Sequence, residues 1–206
     1  MIRYDKTNIV LLQQGSDELL FSNTMKWDET LKKEVSLVDP KILKRLHLDP
    51  PPTNMEAMGD EIHELLTKQG MRTTEQVKKI KYEKSLDGII SRFGVDDKQS
   101  LLDANAFIMP YVMHFKHKFD RVRPRALEPQ EVKPCIEPPG HPAYPSGHAT
   151  QAYTFAFLLA RKHPERAEHF MKIAHDIATN REWAGVHYAS DTVAGKKLAK
   201  QLVNKM

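Results

Sequence analysis

Apolar residues recur at helical spacing through most of the chain beyond its first quarter. From Asn54 to Gln69 the positions Met55, Met58, Ile62, Leu65 and Leu66 fall three and four residues apart, behind a Pro50-Pro51-Pro52 stop and a Thr53/Asn54 cap, which predicts a helix. Thr73 with Gln76 three residues on is a capping-box pattern, and it leads into Val77, Ile80 and Tyr82. Lys98 to about Lys118 carries Leu101, Leu102, Ala106, Ile108, Met109, Val112, Met113 and Phe115, predicting a longer helix with a kink at Pro110. Gly147 to Lys162 reads as a strongly apolar helix. Glu165 to about Thr179 reads as another, with Pro164 in its first turn, and Ala189 to Asn204 as the last. Between Pro124 and Pro145 no period is sustained. Seven prolines and Gly140 predict a long ordered loop of the kind that serves as a lid or binding loop. These elements predict an all-α fold, a compact helical bundle with the Pro-rich loop across one end.

Composition alters this picture little. The 206 residues are enough for one domain with a sizeable core, read over 1–206 with 1–45 as an N-terminal extension. Hydrophobic residues at 40% and charged residues at 28% are ordinary for a folded globular chain. The longest nearly continuous apolar run, Ala152 to Ala160, is far short of the roughly 20 residues that span a bilayer. At the start, Gln13, Gln14, Asp17 and Glu18 cut short any apolar stretch of signal-peptide length. The expectation is a soluble protein without membrane insertion, cytoplasmic as given and equally compatible with a mature periplasmic or secreted form. Cys135 is the lone cysteine, so no internal disulfide forms.

The formal charge of +4 is small, but its distribution is uneven. His114, Lys116, His117, Lys118, Arg121, Arg123 and Arg125 are opposed only by Asp120, a cluster that by itself reads as a solvated basic face or a polyanion patch. Phe115 and Phe119 are its only aromatics and no nucleic-acid motif accompanies them, so no nucleic-acid partner is expected.

Two further segments carry chemistry. Tyr144-Pro145-Ser146-Gly147-His148 stands where the loop turns into an apolar helix, and free amides at a helix start, a close-approaching glycine and a hydroxyl suit phosphate oxygens. Taken alone, Ser146 reads as an N-cap and His148 as a first-turn surface residue. In the second segment His187 and Asp191 are four residues apart at a helix start, so they face each other. They read either as a surface pair or as a histidine whose Nδ1 proton is held by a carboxylate, leaving Nε2 as a nucleophile. His114, His117, His141, His148, His187 and Asp191 could also ligate a metal. Lys116, Arg123 and Arg181 come in the same segments, however, and fixed cations oppose a divalent ion while favouring an oxyanion. No metal is expected.

Lys116, six residues, Arg123-Pro124; Pro145-Ser146-Gly147-His148; Arg181, five residues, His187, three residues, Asp191: in this order and spacing the chain resembles the type-2 phosphatidic acid phosphatase superfamily, which includes bacterial non-specific acid phosphatases and vanadium haloperoxidases. Pro50-Pro51-Pro52 resembles the proline run of the soluble class A acid phosphatases. The resemblance implies a metal-independent phosphomonoester hydrolase with no cofactor. Lys116, Arg123 and Arg181 would clamp the nonbridging oxygens, with Ser146 and Gly147 donating to them. His187 would attack phosphorus to form a phosphohistidine, Asp191 would orient it, and His148 would protonate the leaving group and then activate water, giving a bell-shaped pH profile. His141 and Tyr144 are candidate substrate-pocket residues. The alternative is a vanadium haloperoxidase in which the same pocket holds vanadate; in the phosphatase reading vanadate is an inhibitor. The implied partner is a small soluble phosphomonoester, and related soluble enzymes often self-associate. One position departs from the signature: Asn180 stands where Ser usually precedes the last arginine, which implies tuning of the Arg181 environment.

Overall fold

The computed structural model describes residues 35–206. The N-terminal extension expected over 1–45 therefore lies mostly outside the described residues. Those residues form helices α1 (Pro40–Leu43), α2 (Met55–Gly70), α3 (Thr74–Tyr82), α4 (Leu86–Arg92), α5 (Lys98–Phe119), α6 (Pro124–Leu127), α7 (Gly147–Lys162), α8 (Ala167–Trp183) and α9 (Ala189–Val203), with a 3-10 turn at Pro164–Arg166 before α8. No strand occurs among the described residues, so the all-α expectation holds.

The caps explain several boundaries. Asn54 accepts from the Ala57 amide at 2.8 Å to start α2, Thr73 accepts from Gln76 at 3.2 Å to start α3, and Ser146 accepts from Ala149 at 3.3 Å to start α7. At α3 the expected capping box is only half used, because the Gln76 amide reaches instead toward Asn180 at 3.3 Å. Four details differ from the sequence reading. Helix α4, capped by Ser85 at 3.1 Å from Gly88 N, is too short to show a period, and it carries Ile89, Ile90 and Phe93 into the core. Helix α8 runs four residues past Thr179, which places Arg181 on a helix. The Pro-rich segment contains the one-turn helix α6. The basic cluster also divides: His117, Lys118 and Arg125 are exposed, whereas Lys116, Arg121 and Arg123 are buried and take no part in a solvated face.

Helix α7 is the axis of the molecule. Its Ala149, Ala152, Phe155, Ala156 and Leu159 pack on Phe170, Ile173, Ala174, Ile177 and Ala178 of α8 and on Ala199 of α9, closed below by Phe93, Leu101 and Ala104. Each large apolar side chain so buried contributes about 1.5–3 kcal/mol. The small residues allow close approach. Gly195 of α9 is the sharpest case, since a Cβ there would lie 2.8 Å from Ala149 Cβ and 2.8 Å from Ser146 O. Glycine at 195 thus lets α9 lie directly on the first turn of α7, and the Ser146 amide donates to Asp191 O at 3.0 Å across the same junction. A second cluster joins Ile108, Tyr111, Val112 and Phe115 of α5 to Tyr144 and to Ala194, Leu198 and Leu202 of α9. Packing of α5, α7 and α9 therefore brings the end of one helix and the starts of two others together.

Candidate active site

His187 and Asp191 are not a surface pair: they are 3% and 0% exposed. His187 Nδ1 lies 2.9 Å from Asp191 Oδ2, which also accepts from Tyr188 N at 3.1 Å. Asp191 Oδ1 accepts from Arg121 Nη1 at 2.7 Å. Arg121 in turn donates from Nη2 to Glu61 Oε2 at 2.6 Å and from Nη1 to Ser190 Oγ at 2.6 Å, and its guanidinium lies 3.9 Å from the Tyr188 ring centroid. Glu61 closes the loop by accepting from Ser190 N at 2.7 Å. Burial would push the Asp191 carboxyl up, but Arg121 and the His187 bond prevail and hold it down at about 2. An ionised Asp191 accepts only, so Nδ1 of His187 carries the proton and Nε2 carries the lone pair. Arg123 Nη1, which can only donate, lies 3.3 Å from Nε2 and fits that tautomer. Burial, then Arg123, lowers His187 to about 3 against the pull of Asp191, so the ring is neutral at pH 7.

Lys116 and Arg123 enter from the end of α5. Asp120, at φ 41°, takes the left-handed turn that ends the helix, a conformation short polar residues tolerate, and the chain doubles inward there. Both cations are tied to the Pro-rich loop. Lys116 Nζ donates to Pro142 O at 2.7 Å and Ala143 O at 3.1 Å. Arg123 Nε donates to Pro139 O and His141 O, both at 3.0 Å, and Nη1 to Val186 O at 2.6 Å. The loop is thus ordered by the same cations that border the histidine. Burial, followed by repulsion from Arg123, drives Lys116 well below its ordinary range, and burial lowers Arg123 to about 10. His141 Nδ1 sits 3.2 Å from Arg123 Nη2, and burial with Lys116 and Arg123 lowers it to about 2, keeping it neutral. Tyr144, expected to line the pocket, is 4% exposed. Its hydroxyl donates to Asp49 O at 2.6 Å and its ring meets Phe119 edge-on, so the side chain belongs to the core.

On the opposite side are the start of α7 and the end of α8. Ser146 is fully buried and does cap α7, which leaves its hydroxyl proton to donate elsewhere. His148 Nε2 lies 3.2 Å from Lys84 O. A carbonyl only accepts, so Nε2 carries the proton and Nδ1 is the nitrogen that gains one on acidification. Burial, then Arg181 and His187, push His148 well below 6.5. The expected protonated His148 is therefore not the state of the unliganded site at neutral pH: Arg181 opposes it. Arg181 is 1% exposed and donates from Nη2 to Ile80 O at 3.0 Å, with Glu83 Oε2 at 3.8 Å. Its Nε and Nη1 are buried with no hydrogen-bond partner among the described residues. Buried donors are ordinarily satisfied, and leaving one bare costs about 1–3 kcal/mol.

The sequence reading did not single out Glu61, Glu83 or Gly195, and it placed Arg121 only in a basic patch. Of these, Arg121 had a visible signal, since it stands two residues before Arg123. Among the described residues no carboxylate forms an ion pair with Lys116 or Arg123, and no three His, Cys, Asp or Glu side chains gather in a metal-binding group.

Residues 101–199, just under half of the chain, match the model of the PAP2 superfamily. Among solved structures the fold is similar to a bacterial vanadium-dependent iodoperoxidase, with TM-score 0.62 and 17% identity over 82% of this chain and 54% of that one. It is also similar to a transmembrane PAP2-type phosphatidylglycerolphosphate phosphatase from Bacillus subtilis, with TM-score 0.53 and 16% identity over 85% of this chain and 93% of that one. The chain thus spans about half the length of the iodoperoxidase. A search of curated proteins found no match. Although the second neighbour is a transmembrane protein, no helix among the described residues here is long and apolar enough to cross a membrane.

Proposed function

We propose that the pocket is an oxyanion site and that the protein is a phosphomonoester hydrolase, acid-phosphatase-like, working through a phosphohistidine. The match to the superfamily model supports a phosphatase- or haloperoxidase-type activity; the substrate and chemistry are our reading. The observation that carries it is the pair of bare, buried Arg181 donors next to His148, together with a neutral His187 whose bond to Asp191 leaves its lone pair on Nε2. Nonbridging phosphoryl oxygens satisfy Arg181, and Lys116 and Arg123 add positive charge that no carboxylate pair cancels among the described residues. Ser146 Oγ and the Gly147 amide at the start of α7 supply further donors.

In the first step His187 Nε2 bonds to phosphorus as the bond to the ester oxygen breaks, and the leaving oxygen takes a proton from His148. In the second, neutral His148 removes a proton from water while the water oxygen attacks phosphorus, the P–N bond breaks and inorganic phosphate leaves. Binding of a dianion offsets the field of Arg181 and raises His148, so proton delivery arises in the complex and not in the free site. Charge stabilisation by fixed cations and amides serves without a metal, which is the role such groups play in phosphoryl transfer. The test is turnover of a chromogenic phosphomonoester in excess EDTA, with acid-labile phosphate trapped on His187 during turnover. Activity abolished by EDTA, or a label elsewhere than His187, overturns the proposal.

The second reading, vanadate held in this pocket for haloperoxidase chemistry, is favoured by one feature: His141 lies against Arg123 and beside His187, at the edge of the site. In that reading His187 Nε2 and the same three cations would hold vanadate, which supplies peroxide activation. Bromide or iodide oxidation by peroxide after vanadate loading is the measurement that decides for it.

A further inference from the structure

Arg181 has to be held in place by something outside the superfamily match, because its own helix supplies no partner. The C-terminal end of α3 does this. Ile80 O accepts from Arg181 Nη2 at 3.0 Å, Lys84 O lies 3.2 Å from His148 Nε2, and between them Glu83, fully buried, faces Arg181 at 3.8 Å. Glu83 is not left to Arg181 alone. Its Oε1 accepts from Arg92 Nη1 of α4, and its Oε2 accepts from Asn180 Nδ2 at 2.7 Å. Asn180 Oδ1 in turn lies 3.3 Å from Gln76 Nε2.

We propose that Glu83 is a positioning residue for Arg181, locked by Arg92, Asn180 and Gln76, and that Asn at 180 is matched to this role. Four features support the assignment. A carboxylate with no solvent exposure between two guanidiniums is the counter-charge that lets Arg181 stay ionised while burial lowers it to about 10. With Nη2 held by Ile80 O and Glu83 on that flank, the bare Nε and Nη1 are the edges left for a ligand. The amide of Asn180 bonds Glu83 and Gln76 at once, on two separate atoms, whereas a serine hydroxyl is shorter and offers a single oxygen, so the departure from the usual signature acquires a function. Gln76 and Arg92 line, with Asn180, a polar cleft of about 370 Å³ whose lining includes neither His187, His148 nor Arg181.

The inference rests on the oxyanion reading, and the experiment separates the two. Vanadate affinity is measured by calorimetric titration on the whole protein, alongside KM and kcat for a chromogenic phosphomonoester. For Glu83→Gln we expect vanadate binding weakened by about tenfold or more, as for outer partners of a ligand-holding group, with KM rising in step. For Asn180→Ser, which leaves every charge in place, we expect a smaller loss of about threefold, on the scale of one neutral hydrogen bond. In an Arg181→Ala background Glu83→Gln should change the affinity by less than about twofold, because the residue it positions is gone. A purely structural role lowers the fraction of competent protein and leaves the dissociation constant untouched. Unchanged affinity in Glu83→Gln, or an undiminished effect in the Arg181→Ala background, overturns the assignment. If Glu83→Gln does not fold, Asn180→Ser decides, wild-type affinity in it being fatal. Wild-type protein that binds no vanadate removes the oxyanion reading, and this inference falls with it.

Discussion

The two walls of the site are built on opposite plans. On the His187 side every polar atom of Asp191 and most of Arg121 and Glu61 have partners, a closed set of bonds from α2, the end of α5 and the start of α9. On the Arg181 side two of three guanidinium nitrogens are bare, and His148 is pushed toward its neutral form. The charged groups of the first wall are bonded before substrate arrives and fix a tautomer, although the Tyr188 hydroxyl beside Arg121 is left bare. In the function proposed above, the second is completed by an anion. A nucleophile needs a constant direction, whereas an oxyanion clamp needs donors that are dry and unspent, and the difference in hydrogen-bond saturation separates these two duties.

The comparison can be broken by substitution. His187→Ala should lower kcat for a phosphomonoester by about a thousandfold or more, since no second nucleophile lies in the closed set; near wild-type turnover would dissolve the distinction. Asp191→Asn preserves shape but removes the charge that selects the tautomer, and should lower kcat by about a hundredfold or more with KM little changed. Arg121→Gln should cost about tenfold to a hundredfold in kcat, read from steady-state kinetics, because Asp191 then loses its fixed orientation. Gly195→Ala tests the junction of the two walls: forced contacts with Ala149 and Ser146 should destabilise the fold by about 1–3 kcal/mol in chemical denaturation.

The smallest effect concerns acid. His187 is depressed to about 3 in the folded protein from 6.5, so between those values the unfolded chain binds more protons and stability falls as pH drops. Asp191, lowered from 3.8 to about 2, adds to the loss below pH 3.8. His187→Gln should flatten the dependence of melting temperature on pH between about 6.5 and 4, and an unchanged slope would mean that other groups carry it.

The helices that position the site were mostly legible in the chain. Asn54, Thr73 and Ser146 each precede a helical period and each caps as read. Helix α4 was not legible because seven residues hold too little periodicity, and the extension of α8 to Trp183 was missed because Asn180, Arg181 and Glu182 are polar. They lie on a helical turn whose polarity faces a buried network, so burial there is invisible to hydropathy.

By itself the sequence determined the helical pattern, the order and spacing of the basic, Ser-Gly-His and Arg-His-Asp segments, and the facing of His187 and Asp191, because these are properties of local geometry. Only the tertiary structure decided which charges are buried. It buried Lys116 on α5 and, past the left-handed Asp120, Arg121 and Arg123, tied Lys116 and Arg123 to loop carbonyls, and gave Arg121 to Asp191. It also set Glu83 against Arg181 from 98 residues away. The partner of a buried ion is chosen by desolvation, which depends on what packs around it and leaves no period in the chain.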